Sequence, residues 1–217
     1  MSSVTLYSYF RSSSSFRVRI ALNLKKIEYD IKPIHLLKDG GEQRKDDYKK
    51  LNPMGEVPCL LHDGKYFAQS MAIIEYIDGN FPGHALFPPI PFDAAKVRQI
   101  CETINSGIQP IQNLKVLQKL EKDFGANEET RNKWAQYWIQ DGFVALEKIL
   151  EPVAETYSHK NKLSAADCFV IPQVFNAKRF NVEMTQFPTI QRIFDSCMTV
   201  PAFAKAAPEN QPDFEKR

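Results

Sequence analysis

Residues 7–24 read YSYFRSSSSFRVRIALNL. Four serines separate an alternating aromatic segment from an aliphatic stretch that carries Arg17 and Arg19. A serine run is commonly a flexible linker, but the flanks argue otherwise. Upstream, VTLYSY alternates with the two-residue period of a strand. Downstream, Val18, Ala21, Leu22 and the stem of Lys25 recur at helical spacing. The serines therefore lie where a first strand ends and a first helix begins. A helix N-terminus presents unpaired N–H groups and a partial positive charge. It favours an anion, and a serine hydroxyl beside it can donate to one. At least one of the four is expected to serve simply as the N-cap.

Outward from that junction, YDIKPIHLL reads as a second strand, which completes a β-α-β unit with a parallel pair. VPCLLHDGKYFAQ reads as a hairpin turning at Asp63-Gly64, a type I′ signal. SMAIIEYIDGNF opens with Ser70 as a cap and keeps Ile73, Ile74 and Ile77 on one stripe. FPGHALFPPIPFD holds Pro82, Pro88, Pro89 and Pro91, a density that stops helices and stiffens a connection.

Beyond residue 93 the strand signals vanish. Residues 93–122 form one long helical pattern with a kink expected at Pro110. A second pattern covers 128–153, with Trp134, Trp138 and Phe143 as core candidates. A third opens with Ser164-x-x-Asp167, a capping box with Asp in place of Glu. FPTIQRIFDSCMTV makes a last helix. The expected architecture is α/β plus all-α: residues 1–82, a Pro-rich linker over 83–92, and helices over 93–217.

Composition narrows the function classes. The chain has 217 residues, 43% hydrophobic and 25% charged, ordinary for a soluble protein with a sizeable core. A formal net charge of +2 gives no basic footprint for nucleic acid. No apolar run approaches the ~18 residues that span a bilayer, and the start lacks a signal peptide. A cytoplasmic location is the default expectation, with no membrane partner. Cys59, Cys101, Cys168 and Cys197 are far apart in apolar sequence and read as buried free thiols. The four histidines show no metal-ligand spacing, so no metal is expected.

The serine-bearing turn after the first strand, EVPCL before the hairpin, QSMAIIEYI and the SAAD box together resemble the cytosolic glutathione transferases. SSSSFRVRIAL, KDGGEQ, LNPMGEVP, SGIQPIQNLKVL and NAKRF narrow the resemblance to the zeta class, the maleylacetoacetate isomerases. It covers nearly the whole chain. It implies a thioredoxin-like β-α-β-α-β-β-α domain followed by a helical bundle, with glutathione as cofactor and a homodimer. Two departures stand out. Ser14 and Phe16 occupy the class positions of cysteine and tryptophan. Lys160 and Asn161 stand where the family places Gly-Asp before its capping box.

The resemblance assigns the site residue by residue. Ser12 would donate to the glutathione thiolate, with Ser13 the runner-up. Ser14, Ser15, Phe16 and Arg17 complete the turn. Val57-Pro58 would be cis and would expose Val57 backbone groups to the tripeptide; an ordinary edge proline is the plain alternative. Gln69 and Ser70 would bind the γ-glutamyl carboxylate at a helix start. Gln43 resembles a tripeptide contact, or is a solvated loop residue. Gln109 and Asn113, four apart on one helix face, with Leu114 and Lys115, resemble cleft residues. Arg11, Arg17 and Arg179 are the cations for an acidic substrate, or surface ion-pair partners.

The energetics allow one hydroxyl to suffice. Lowering a thiol from a pKa of ~8.5 to ~6.5 takes about 2.7 kcal/mol. A hydrogen bond to a charged group contributes about 1.5–3 kcal/mol, and the helix end about 0.3–1 kcal/mol. The implied reaction is cis–trans isomerisation of maleylacetoacetate to fumarylacetoacetate in tyrosine and phenylalanine breakdown. Two rivals stay open: glutathione conjugation or dehalogenation of small α-halo acids, and a non-catalytic binding module.

Overall fold

All five residues of strand β1, Val4–Ser8, are buried, so it needs cover on both faces. In the computed structural model, which describes residues 3–215, β1 is an inner strand of a four-stranded sheet ordered β2-β1-β3-β4. β2 is Asp30–Pro33, β3 is Cys59–His62 and β4 is Lys65–Ala68. β1 runs parallel to β2, with Leu6 opposite Ile31, and antiparallel to β3, with Leu6 opposite Leu60. β3 and β4 form the expected hairpin. Asp63 and Gly64 take φ of 50° and 72°, the paired positive values of a type I′ turn. β2 is shorter than YDIKPIHLL suggested: it ends at Pro33, Ile34 N–H still donates to Ser8 O at 2.8 Å, and the chain bends at Leu36 and Leu37.

Helix α1, Ser13–Leu24, and helix α3, Ser70–Asn80, pack against each other. Val18, Ala21, Leu22, Ile73, Ile74 and Ile77 are all 0% exposed, as their spacing requires. Tyr7, Tyr9, Phe10, Tyr48, Val57 and Cys59 form a second apolar cluster, with Ile34 and Leu36 against it. Tyr48 belongs to the short helix α2, Asp46–Lys49. Lys25 buries its stem as expected, and its Nζ reaches Asp78 Oδ1 at 3.0 Å.

The described residues form two compact units. One runs to Leu86 and takes back the chain from Met198 onward; the other is Phe87–Cys197. The sequence boundary at 93 assigned everything after it to the helices. Local periodicity could not reveal that α9, Pro201–Ala206, packs on α1.

In the second unit the long helix expected over 93–122 is corrected to two. α4, Pro91–Glu102, starts on Pro91 itself. It passes into a π-helical turn over Thr103–Ile108, where Gln109 N–H donates to Ile104 O at 2.9 Å. α5 begins only at Leu114 and ends at Phe124. The widened turn and the missing N–H of Pro110 break the α-ladder. α6, Glu128–Leu150, buries Phe143 but leaves both tryptophans half-buried; Trp134 Nε1 donates to Ile111 O at 3.0 Å. α7, Ala165–Arg179, carries its cap as expected. The Asp167 carboxylate accepts from Ser164 N–H and Ser158 N–H, each at 2.8 Å. Complete burial raises its pKa, and these bonds oppose the rise. α8, Pro188–Met198, is held at its start by Glu147, which accepts from Thr189 and Ile190 N–H.

Candidate functional site

Three loops of the first unit carry most of the expected site residues. The first is the turn into α1. Ser12 is the N-cap, with extended φ and ψ of −71° and 116°. Its Oγ accepts from Ser15 N–H at 3.2 Å. An oxygen engaged as acceptor still keeps its proton to donate, and Ser12 is partly open to solvent. The N–H groups of Ser13 and Ser14 meet no acceptor among the described residues, as the first positions of a helix dictate. No acidic residue sits in the first turn of α1 to repel an anion.

The rest of that turn differs from expectation. Ser15, Phe16 and Arg17 are 0%, 1% and 0% exposed. Ser15, Phe16 and Arg17 therefore lie inside the unit, behind Ser12 and Ser14, which are partly open to solvent. Arg17 Nη1 donates to Ser70 Oγ at 3.1 Å. Arg11 stays half-buried, with its guanidinium 5.8 Å from the Tyr9 ring centre and 5.7 Å from that of Phe10.

The second loop holds Gln43. Asp39, Gly40 and Gly41 take successive positive φ of 52°, 77° and 101°. A Cβ on Gly41 would stand 2.7 Å from the Gln43 amide, so glycine is what lets that side chain fold in. Gln43 Nε2 donates to Leu36 O at 3.3 Å, while its buried Oε1 has no hydrogen-bond partner among the described residues. Gln43 is only 6% exposed, which corrects the solvated-loop alternative.

The third is the turn into β3. Val57–Pro58 is cis, as expected. Tyr48 OH and Asn52 Nδ2 both donate to Glu56 O, at 2.8 and 2.7 Å, and fix the turn. No hydrogen bond among the described residues uses Val57 N–H or C=O. At the far end of the hairpin, Gln69 adopts φ of 70°, a conformation that costs a non-glycine residue about 1–3 kcal/mol. It presents Ser70 as the first residue of α3, which also lacks an acidic first turn.

Gln109, Asn113, Leu114, Lys115 and Arg179 belong to the second unit. Gln109 and Asn113 do not share a helix face, because the helix is broken between them. Asn113 caps α5, its side chain accepting from Lys115 N–H at 3.1 Å. Arg179 is exposed at the end of α7, 4.4 Å from the Phe180 ring centre.

Sequence reasoning missed Arg19 and Asp213. Arg19 is 0% exposed and donates to Ser8 Oγ, Tyr9 O, Phe10 O and Ala206 O. Burial pushes its pKa down to about 10. The signal was present in FRVRIAL, where apolar residues cover every face of the helix and leave no polar side for either arginine.

Comparison with known proteins identifies the family and the fold. Residues 2–79 match the family "Glutathione S-transferase, N-terminal domain". The "Probable maleylacetoacetate isomerase 2" of Drosophila melanogaster is 50% identical, over 96% of this chain and 89% of its own. A bacterial maleyl pyruvate isomerase described as a zeta-class glutathione-S-transferase superposes with a TM-score of 0.94 at 39% identity. That match covers 97% of this chain and all of the other. The maleylacetoacetate isomerase of Anaeromyxobacter dehalogenans 2CP-1, solved with glutathione in its active site, gives 0.88 at 37%, with 99% of each chain covered.

Proposed function

This chain belongs to the zeta class of the glutathione transferases, and we propose that it is a glutathione-dependent isomerase converting maleylacetoacetate to fumarylacetoacetate. The observation that carries the proposal is the Ser12 hydroxyl. It caps α1 through its oxygen and keeps its proton for an anion.

The residues present fit the tripeptide. Gln43 Oε1 is a buried acceptor without a donor, suited to an amide N–H. Val57 N–H and C=O are unused, suited to the main chain of an extended peptide. The bare start of α3 suits a carboxylate. When bound, glutathione supplies the thiolate that adds to the cis alkene beside a carbonyl and departs after bond rotation, so none is consumed.

Ser12 holds that thiolate deprotonated, with the open N–H groups of Ser13 and Ser14 behind it. Arg11 and the exposed Arg179 bind the substrate carboxylates. Gln109 and the Asn113–Lys115 turn complete the cofactor contacts. In the same proposal the protein acts as a cytoplasmic homodimer in tyrosine and phenylalanine breakdown.

The test is a coupled assay with maleylacetone, with and without glutathione, with free thiol measured throughout. Turnover should require glutathione and leave its concentration unchanged. Stoichiometric loss of thiol would replace isomerisation with conjugation, and binding without turnover would make the chain a binding module. Arg179→Ala should raise KM for the diacid and leave glutathione affinity unchanged; equal weakening of both would remove Arg179 from the substrate.

A further inference from the structure

The turn that carries Ser12 is held from behind by the end of the chain. Phe10 N–H donates to Asp213 Oδ2 at 2.9 Å, across 203 residues of sequence. Phe10 O accepts from Arg19 Nη2 at 3.0 Å. Tyr9 O is shared: it accepts from Arg19 Nη1 at 3.4 Å and from Ser12 N–H at 3.0 Å. Arg19 Nε reaches back to Ala206 O at 2.9 Å, at the end of α9. Phe10 N–H and C=O, Tyr9 O and, through it, Ser12 N–H thus hang on one network that is anchored at Ala206, the end of α9, and at Asp213 beyond it.

The segment beyond α9 is itself built to stay in place. Gln211 is 7% exposed and donates to Lys205 O and Ala207 O at 3.0 and 2.8 Å. Phe214 packs edge-on to Phe10, with ring centres 5.6 Å apart. Glu215 meets Lys38 at 2.6 Å and His35 at 3.5 Å, on the loop that leads to Gln43.

We propose that Asp213 is a positioning residue for Ser12: by accepting from Phe10 N–H, it fixes the backbone from which the Ser12 hydroxyl is aimed. The inference rests on the reading of Ser12 as thiolate donor. It adds that the C-terminal segment sets the direction of that donor, although it touches neither the hydroxyl nor its helix cap. A buried N–H left without its acceptor pulls the loop toward solvent, and a misaimed donor loses its hold on the thiolate.

The test uses the full chain as wild type, Asp213→Ala, Asp213→Asn and Ser12→Ala, with two readouts. These are hydrogen exchange at the Phe10 amide and ultraviolet titration of bound glutathione thiolate. Asp213→Ala should speed exchange at Phe10 at least about tenfold and raise the thiol midpoint by roughly half a unit to one unit. Asp213→Asn keeps an acceptor oxygen and should recover most of both. A wild-type midpoint in Asp213→Ala beside a raised one in Ser12→Ala overturns the inference and spares the function. Wild-type midpoints in both variants overturn the role of Ser12 itself, and the positioning role with it. Unchanged exchange at Phe10, or equal effects of Ala and Asn, also overturns the inference.

Discussion

Arg17 Nη1 lies 3.1 Å from Ser70 Oγ, with both residues buried. This contact joins the two helices whose N-termini offer open N–H groups to an anion. A charged donor on α1 therefore orients the hydroxyl at the start of α3. Ser70, the expected carboxylate ligand, and Ser12, the expected thiolate ligand, are parts of one assembly.

Replacing Arg17 by Met keeps much of the side-chain volume and removes the donor. The Ser70 hydroxyl is then left buried without that partner, at a cost of about 1–3 kcal/mol. Urea unfolding should register that loss, and calorimetry should show weaker glutathione binding. Unchanged affinity in a folded Arg17→Met protein would detach Ser70 from the ligand.

Among the serines, Ser12→Ala should raise the pKa of bound glutathione by about one to two units, since the hydrogen bond contributes about 1.5–3 kcal/mol. It should also lower stability by about 1 kcal/mol through the lost cap. Activity should recover in part as pH rises. Ser15→Ala removes a buried hydroxyl that has no hydrogen-bond partner among the described residues and should leave the titration alone. Ser14→Cys should barely move it. Thiolate absorbance against pH for the three variants decides, and an unshifted Ser12→Ala curve would transfer the role to Ser13.

All four cysteines are free and buried. A disulfide-exchange reagent should find no fast thiol in the native protein and four after unfolding, while Ser14→Cys should add one fast thiol. Burial pushes the Cys59 thiol up to about 11. A raised folded-state pKa means that folding favours the protonated form. That contribution is whole below the unfolded value of ~8.5 and is lost as pH climbs from there toward 11. Denaturant midpoints should therefore fall over that window, and less steeply in Cys59→Ala.

Gly142 and Gly107 should respond in opposite ways to alanine. A Cβ on Gly142 would stand 2.4 Å from Ile108 Cγ1, whose side chain is 1% exposed, just before Gln109. Overpacking there should cost about 1–3 kcal/mol. A Cβ on Gly107 meets nothing within 4 Å, so Gly107→Ala should be neutral or stabilise by up to about 1 kcal/mol. Thermal melts of the two variants check the pair. Equal melting would mean that α6 does not press on the π-turn.

The chain encoded locally whatever depends on neighbours within a few residues. The strand around Leu6, the Asp63-Gly64 turn, the Ile73–Ile77 stripe and the Ser164–Asp167 box were all legible, because each is decided by short-range backbone geometry and the apolar pattern of a few neighbouring residues. So was the place of Ser12 at a helix start. Three features were decided only by tertiary structure. The helix through residues 103–113 breaks at a single π-turn packed against α6 through Ile108, and Pro110 has no N–H to carry the ladder on; one widened turn is too short an interruption to register in the apolar spacing. Arg17 and Arg19 are interior: Ser70 Oγ takes Arg17 Nη1, and oxygens of Ser8, Tyr9, Phe10 and Ala206 stand around Arg19 in place of water, an arrangement made only when the strand, the turn and the last helix come together. Residues 198–215 join the first unit through partners, Phe10, Arg19 and Lys38, that lie about two hundred residues away in sequence, and no local pattern records a contact made at that distance.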